Sequence, residues 1–464
     1  MADDFRTISP VDGSVVFERV FDDANTIERT LARAGEAFRS WQNVPLADRS
    51  ALVRAFVELA VKDTDAVSYE LTMQMGRPIR DGAGEAGGWL LRGRTMIDLA
   101  PEALADIEME ARDGFTRFIR REPLGVVFLV APWNYPWLTA VNSLVPALVA
   151  GNPVVLKHSE QTPLVAERIG RAAAEAGLPN GVLQILHLDH SRVANVIRDP
   201  RIAFVAFTGS VEGGHAIQRA ASERFIGASL ELGGKDPAYV CRDAELTRTA
   251  VNLVDGAYYN AGQSCCGIER IYVHQDVYES FLEAFVAEAK KLALGDPREP
   301  TTTLGPVVRL RNANAIQEQI DAAIAAGARP LLDPEQFEGG RRGLPYMAPQ
   351  ALVEVDHSMQ VMTEETFGPV VGIMPVRDDD EAIALMNDSR YGLTASVWTQ
   401  DLDRAAAIGM QVETGTWFMN RCDYLDPELA WVGVKDSGRG CSLSKLGYSQ
   451  LTRPKSFHLR HAPG

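Results

Sequence analysis

The sequence predicts an α/β protein built as two or three lobes around a cleft. Three observations predict it. Short apolar runs alternate with helical patterns between about residues 126 and 208, and the alternation resumes from about Pro237 onward. A chain of 464 residues is also well past the size at which one hydrophobic core stops growing. Clefts between lobes are where ligands usually sit.

Taken in order, Ile27, Leu31, Ala34, Phe38 and Trp41 recur at alternating spacings of four and three, the stripe of an amphipathic helix. Further helical stretches run through about Met75 and about Ala100. Phe115 to Arg120 then alternates after the pair Asp113-Gly114, a hairpin signal that interrupts the helices. Val126 to Ala131, Val154 to Lys157, Leu183 to His187 and Ile202 to Thr208 read as strands. Between them Pro163 to Ala176 reads as a helix, stopped by Gly177 and Pro179. This is the alternation of a parallel sheet with crossover helices. Beyond Pro237, helical patterns at Thr247 to Asn260 and Val277 to Leu292 predict a second α/β lobe. The sequence shows neither an internal repeat nor a low-complexity segment, so linkers are expected to be short.

Composition narrows the function classes. A formal charge of -16, with no Lys/Arg cluster forming a stripe, argues against nucleic acid as a partner. Five cysteines, two of them adjacent, do not make a disulfide framework and point to a reducing compartment. The opening Met1-Ala2-Asp3-Asp4 is neither basic nor apolar, and no run is apolar enough to cross a bilayer. The expectation is a soluble, cytoplasmic protein without a membrane partner. The eight histidines show no ligand spacing, so no metal is expected.

Two runs carry the chemistry. Cys265 lies in Asn260-Ala261-Gly262-Gln263-Ser264-Cys265-Cys266, and Glu231 lies upstream in Leu230-Glu231-Leu232-Gly233-Gly234-Lys235. A thiol among small residues and a carboxylate on a Gly-Gly turn supply a nucleophile and a base for covalent chemistry followed by hydrolysis. Alone, either is more often core filler or solvated surface; it is the pairing that points to catalysis. Thr208-Gly209-Ser210-Val211-Glu212-Gly213-Gly214 joins a strand to a helix, where backbone N–H groups and a hydroxyl can face a pyrophosphate, although a tight turn alone would read the same way. Lys157-His158-Ser159-Glu160 ends another strand, where open α/β sheets bind ligands; a surface ion pair is the alternative.

These pieces occur in one order with Pro132-Trp133-Asn134-Tyr135-Pro136, with Glu364-Glu365-Thr366-Phe367-Gly368-Pro369 and with Gly433-Val434-Lys435-Asp436-Ser437-Gly438. Over nearly the whole chain the order resembles the aldehyde dehydrogenase superfamily. The resemblance implies a Rossmann-type NAD-binding lobe from residues 1–104 and 124–235 and an α/β catalytic lobe from 236–435. It also implies a small β oligomerisation element from 105–123 and 436–464, within a homodimer or homotetramer.

By the same resemblance, Cys265 attacks the aldehyde carbon, Asn134 and the Cys265 backbone N–H hold the oxyanion, hydride passes to the nicotinamide, and Glu231 activates the water that hydrolyses the thioester. Cys266 lines the pocket. The matching positions place Glu365 on the nicotinamide ribose, Phe367 against the ring, Gly209 and Ser210 at the pyrophosphate, and Lys157 and Glu160 at the adenosine ribose. Trp133 counts with the cofactor residues and Tyr135 with the substrate ones, although both flank Asn134 and plain aromatic packing is the alternative for each. A Glu at 160 predicts NAD over NADP. Tyr135, Tyr424 and Trp431 line the substrate tunnel, with Arg421 and Asp423 beside them and Asn420 anchoring the loop. Arg421 suits an acidic semialdehyde; the aromatic residues suit an apolar one.

Three departures stand out. Ser143 replaces the Lys or Arg common nine residues after the oxyanion asparagine, Leu188-Asp189-His190-Ser191 replaces a Gly-containing loop near the adenine, and His158 replaces a small residue or proline. The leading expectation is a non-acylating, NAD-dependent enzyme that converts a small-molecule aldehyde to a carboxylate. The alternatives are a coenzyme-A-acylating relative, which Glu231 argues against, and a catalytically silent scaffold, which has no need of Cys265, Asn134, Glu231 and Glu365 together.

Overall fold

In a computed structural model, which describes residues 4–337 and 345–461, two largely parallel sheets carry the chain. Met1 to Asp3, read above as lacking a signal, lie outside the described residues. The first sheet has the order Gly438–Arg439, Gly227–Glu231, Ile202–Thr208, Val126–Val130, Val154–Lys157, Leu183–Ile185. Its neighbours are parallel except Gly438–Arg439, which is antiparallel.

Val126–Val130 is central because it is buried on both faces. Val127 and Leu129 pack with Val141 and Leu144 of the helix Pro136–Ala150. On the opposite face Val126, Phe128 and Val130 pack with Leu31, Val205 and Ile217. Each such side chain contributes about 1.5–3 kcal/mol by leaving water, and the period of two explains why the run is apolar throughout. From this strand the sheet grows first toward Leu183–Ile185 and then, with Ile202–Thr208, in the other direction. A crevice forms where the order reverses, beyond the carboxy ends of these two strands. Trp133 and Asn134 follow one of them; Gly209 and Ser210 follow the other.

The second sheet has seven strands in the order Arg329–Pro330, Gln350–Val353, Val370–Val376, Ile268–His274, Asp236–Val240, Thr394–Trp398, Thr416–Met419, parallel except at Arg329–Pro330. A third, antiparallel sheet sets Phe115–Pro123 between Thr452–Arg460 and Ile107–Glu108. Phe118 and Phe457 stack across it with ring centres 4.5 Å apart. Gly114, with φ of 78°, makes the expected reversal, and the paired strand it leads back to is Ile107–Glu108.

Two features differ from the sequence reading in kind. Asp4–Ile8 and Val15–Val20 form an additional hairpin. The strand expected to reach His187 ends at Ile185, because His187 turns to stack on Phe5 at 5.7 Å and to bond Glu167 at 2.9 Å.

The carboxy-terminal segment closes the first sheet with Gly438 opposite Glu231 and Arg439 opposite Leu230. Gly438 has φ of 117°, and a Cβ there would lie 1.9 Å from the Leu230 carbonyl oxygen. Gly438→Ala is therefore expected to cost about 1–3 kcal/mol of backbone strain and to lower turnover by displacing the strand beside Glu231. Urea denaturation and an activity assay on the same preparation check both; unchanged stability would show that the seam is not fixed by this glycine.

Candidate active site

Cys265 is positioned by consecutive left-handed residues. Asn260, Ala261 and Gly262 have φ of 54°, 56° and 68°, a strained conformation of the kind retained at functional sites. Side chains hold it in place. The Asn260 amide donates to the Asn134 carbonyl at 3.2 Å and to that of Gln263 at 3.1 Å, while its Oδ1 accepts from Arg77 Nε at 3.3 Å. Gln263 Oε1 accepts the Val308 N–H at 2.8 Å. No side chain fits at Gly262, where a Cβ would lie 2.1 Å from the Gly368 carbonyl oxygen.

Cys265 then opens onto a chamber of about 350 Å³ whose wall includes Glu231, Tyr135, Tyr424, Trp431, Arg92 and Asp423. Gly234 passes so close behind it that a Cβ there would lie 2.3 Å from the Cys265 carbonyl oxygen. The adjacent Cys266 donates its thiol to Asp423 Oδ1 at 2.8 Å, and Ser264 Oγ donates to the same oxygen at 3.2 Å. A hydrogen bond with Cys265, then burial and Asp423, push the Cys266 thiol well up, so it stays protonated as a donor.

Glu231 ends the strand Gly227–Glu231. Burial raises its pKa, against hydrogen bonds donated by Ser442 and Thr208, the Arg92 charge, and the Asn142 amide. A carboxyl poised above its usual range suits a base. Asn142 and the buried Ser143 occupy the helix turn where the family's Lys or Arg was expected, and a cation is nevertheless close, because Arg92 Nη1 donates to Asn142 Oδ1 at 3.2 Å.

The residues expected to handle a cofactor gather at the strand ends. Ser210 caps the helix Val211–Ala221, accepting from the Gly213 N–H at 3.1 Å, and the Gly209 N–H donates to the Glu231 carbonyl at 3.0 Å. Gly209 and Gly213 rest on the Phe207 ring, where a Cβ on either would come within 2.6 and 2.7 Å of it. This glycine cradle, with first-turn amides that helix geometry leaves unpaired, fits a dinucleotide pyrophosphate.

Lys157 is buried, which lowers its pKa, with Glu160 acting in the opposite sense. Glu160 is half-buried, and its carbonyl accepts from Thr7 Oγ1 at 2.6 Å. Glu365 Oε1 accepts the Gly234 N–H at 3.0 Å; burial, then Glu269, pushes its pKa up to about 8. Phe367, with φ of 53°, meets Trp133 edge-on at 5.6 Å.

Two departures acquire physical roles. His158 accepts the Ser159 N–H on Nδ1 at 2.9 Å, so its Nε2 carries the hydrogen and donates to the Pro136 carbonyl at 3.1 Å. Burial holds it neutral, with a pKa lowered to about 3. It ties the end of one strand to the start of the helix after Asn134. Asp189 caps the helix His190–Arg198 by accepting the Arg192 N–H at 2.9 Å, which makes a helix start of the expected loop.

Cys265, Glu231, Tyr135, Tyr424 and Trp431 therefore share one chamber, and the Asn134 backbone is pinned behind it. Arg421 lies on the Tyr424 ring at 3.7 Å, outside the chamber lining. Sequence reasoning missed Arg77 with Glu85, Arg92, and the base's hydroxyl partners Thr208 and Ser442. A signal existed for Arg92: Gly84, Gly88 and Arg92 recur every four residues and face one side of the helix Ile79–Ala103. Ser442 had none, since only the closing strand brings it across.

A crevice at the switch point of the first sheet and a chamber holding a thiol and a carboxyl are the features of an oxidoreductase site. The chain belongs to the aldehyde dehydrogenase family: the model for "Aldehyde dehydrogenase family" matches residues 1–457. It is 34% identical over 455 residues to a succinate-semialdehyde dehydrogenase [NADP(+)] of Mycobacterium avium, covering 97% of this chain and 95% of that one. It is 33% identical to the succinate semialdehyde dehydrogenase [NAD(P)+] Sad of Escherichia coli, covering 96% of each. The crystal structure of a succinic semialdehyde dehydrogenase from Streptococcus pyogenes with NADP+ superposes with a TM-score of 0.94 at 28% identity, over 98% of this chain and all of the other. The protein is an NAD(P)-dependent aldehyde dehydrogenase by family, and among the described residues no helix is long and apolar enough to cross a membrane.

The two halves of the site are joined by a buried ion pair. Lys235 Nζ meets Glu269 and also donates to Thr366 Oγ1 at 3.0 Å, while Glu269 accepts the N–H groups of Thr366 and Phe367 at 2.8 and 2.9 Å. Lys235→Met is expected to destabilise the fold by about 3–5 kcal/mol, because it leaves Glu269 buried without its cation. Lys235→Met paired with Glu269→Gln is expected to recover part of that loss, because the neutral amide removes the unpaired charge and keeps an oxygen for the Thr366 and Phe367 N–H groups. Denaturant titration of the single and double variants checks this; a single variant as stable as the parent would sink it.

Proposed function

We propose that the protein oxidises an aldehyde to a carboxylate through a covalent intermediate on Cys265, with Glu231 activating the hydrolytic water. The observation that carries this reading is that the thiol of Cys265 and the carboxyl of Glu231, raised by burial, open onto the same chamber. Cys265 adds to the aldehyde carbon, and the oxyanion is held by the Asn134 amide and the Cys265 N–H, each donor contributing about 3 kcal/mol as seen for such sites elsewhere. A nicotinamide seated by Glu365 and Phe367 would supply the hydride acceptor for the adduct, so that Cys265 is left carrying a thioester. Glu231 then takes a proton from water as the hydroxide attacks the acyl carbon and the thiolate departs. The net change consumes aldehyde, dinucleotide and water and yields carboxylate and reduced dinucleotide. Glu231 also stands against passing the acyl group to coenzyme A.

Trp133, Gly209, Ser210, Glu365 and Phe367 would seat the dinucleotide, and Lys157 with Glu160 its adenosine ribose. Tyr135, Tyr424 and Trp431 would shape the substrate tunnel. Relatives reported above act on succinate semialdehyde, which makes an aldehyde bearing a carboxylate the first substrate to try. We further infer a homodimer or homotetramer, supported by Thr452–Arg460 lying at the open edge of its sheet. Five free cysteines suit a reducing, cytoplasmic setting.

Glu231→Gln is expected to keep the first turnover and slow the steady state, giving a burst of reduced cofactor in rapid mixing; equal slowing of both would exclude a role confined to deacylation. Ser442→Ala removes a hydroxyl that holds the Glu231 pKa down, so the acid limb of the steady-state pH profile should move to higher pH. An unmoved limb would assign that titration to another group.

The reading favours NAD. A carboxylate at 160 accepting from both ribose hydroxyls would face the 2′-phosphate of NADP and repel it by several kcal/mol. The ratio of kcat/KM for NAD over NADP should exceed one in the parent and fall in Glu160→Ser. Equal use of the two cofactors by the parent would overturn this assignment.

A further inference from the structure

Arg92 enters the chamber with hydrogen-bonding capacity left over. It is 8% exposed, and its Nη1 is fixed by the Leu138 carbonyl at 2.8 Å and Asn142 Oδ1 at 3.2 Å. Among the described residues no acceptor meets its Nε or Nη2, and neither nitrogen is sealed off from the chamber space. The other guanidinium of the wall is spent: Arg77 pairs with Glu85, donates to Asn260 and the Asn134 carbonyl, and stacks on Tyr135 at 4.6 Å. Gly84 and Gly88, on the same helix face, put no side chain into the chamber beside Arg92. A buried cation with free donors is costly unless an anion meets it. Its planar fork, already oriented by two contacts, suits a carboxylate.

We infer that Arg92 binds a carboxylate at the end of the substrate remote from the aldehyde, so that the chamber selects short semialdehydes. The inference rests on Cys265 being the nucleophile of that chamber. A phosphate dianion fits less well, because Glu231 and Asp423 share the wall with a single unspent cation. Arg421, the arginine that the sequence offered for this task, is engaged with Tyr424.

Succinic semialdehyde and butanal have equal carbon counts and differ in the terminal carboxylate, so their kcat/KM values in the parent, Arg92→Met and Arg92→Lys isolate the contact. Arg92→Met should raise KM for the acid roughly 100-fold and leave KM for butanal within about threefold, while kcat changes alike on both substrates because the Arg92 charge beside Glu231 is lost in either case. Arg92→Lys should recover part of the loss as a point charge without the fork. Equal losses on both substrates would overturn the inference, as would a parent that uses glyceraldehyde 3-phosphate better than succinic semialdehyde. A second readout needs no turnover: succinate should slow alkylation of Cys265 by iodoacetamide, followed by peptide mass, in the parent but not in Arg92→Met. Absent protection in the parent rejects the anchor even if aldehydes are oxidised; protection without oxidation of any aldehyde supports the anchor and rejects the reaction.

Discussion

The buried pair of Lys235 and Glu269 is the contact on which the rest of the site depends. Lys235 follows the Gly-Gly turn after Glu231, Glu269 lies on a central strand of the second sheet, and the carboxylate of Glu269 accepts the backbone of Thr366 and Phe367. Three runs far apart in sequence are thereby fixed within one hydrogen-bonded knot. Two buried charges would be a poor source of stability alone. Here nearly every lone pair and proton of the pair is used, which is the condition under which such a pair specifies one arrangement rather than merely burdening the fold. Gly233 and Gly234 follow from it. With Glu365 and Cys265 drawn against the turn, no Cβ fits at either position.

The chamber is built as a set of carboxyls kept from repelling one another. Burial raises the pKa values of Glu231 and Asp423, and each is supplied with hydroxyl or thiol donors. Arg92 stands among them, with Cys266, Glu231, Cys265 and Asp423 supporting its charge against the burial that lowers its pKa. The position expected to carry a basic residue instead holds Ser143, next to Asn142, which orients a cation arriving from a different helix.

How much of this was legible depends on sequence distance. Local period announced the strands Val126–Val130 and Ile202–Thr208 and the helix Ala24–Trp41, because each buries a regular set of side chains. Cys265, Glu231 and Glu365 were legible as parts of ordered motifs. The hairpin of Asp4–Ile8 with Val15–Val20 was not, since Val15 to Val20 is largely exposed and carries no inward alternation. Ser442 and Thr208 were hidden as partners of Glu231 for another reason. Serine and threonine are everywhere, and the parallel register that sets Thr208 opposite Glu231 and the antiparallel closure at Gly438 that brings Ser442 across decide which of them reach the carboxyl.

That closure also explains why Glu231 and the turn at Gly209 and Ser210 are one mechanical unit. Glu231 gives its carbonyl to the Gly209 N–H and its side chain to the Thr208 hydroxyl, so the turn that cradles a pyrophosphate cannot shift without moving the carboxyl. Gly438 pairs with Glu231 from the other side, and Leu232 donates its N–H to the Ser437 carbonyl. The strand end is gripped on both edges. Because one gripping segment lies beyond residue 430, the pocket around the base is completed only when the carboxy-terminal part of the chain docks on the first sheet. Glu231 is thus held from within the first sheet by Thr208 and Gly209 and from the closing segment by Gly438 and Ser442, and the second set needs a long-range contact that loop-closure entropy makes late to form.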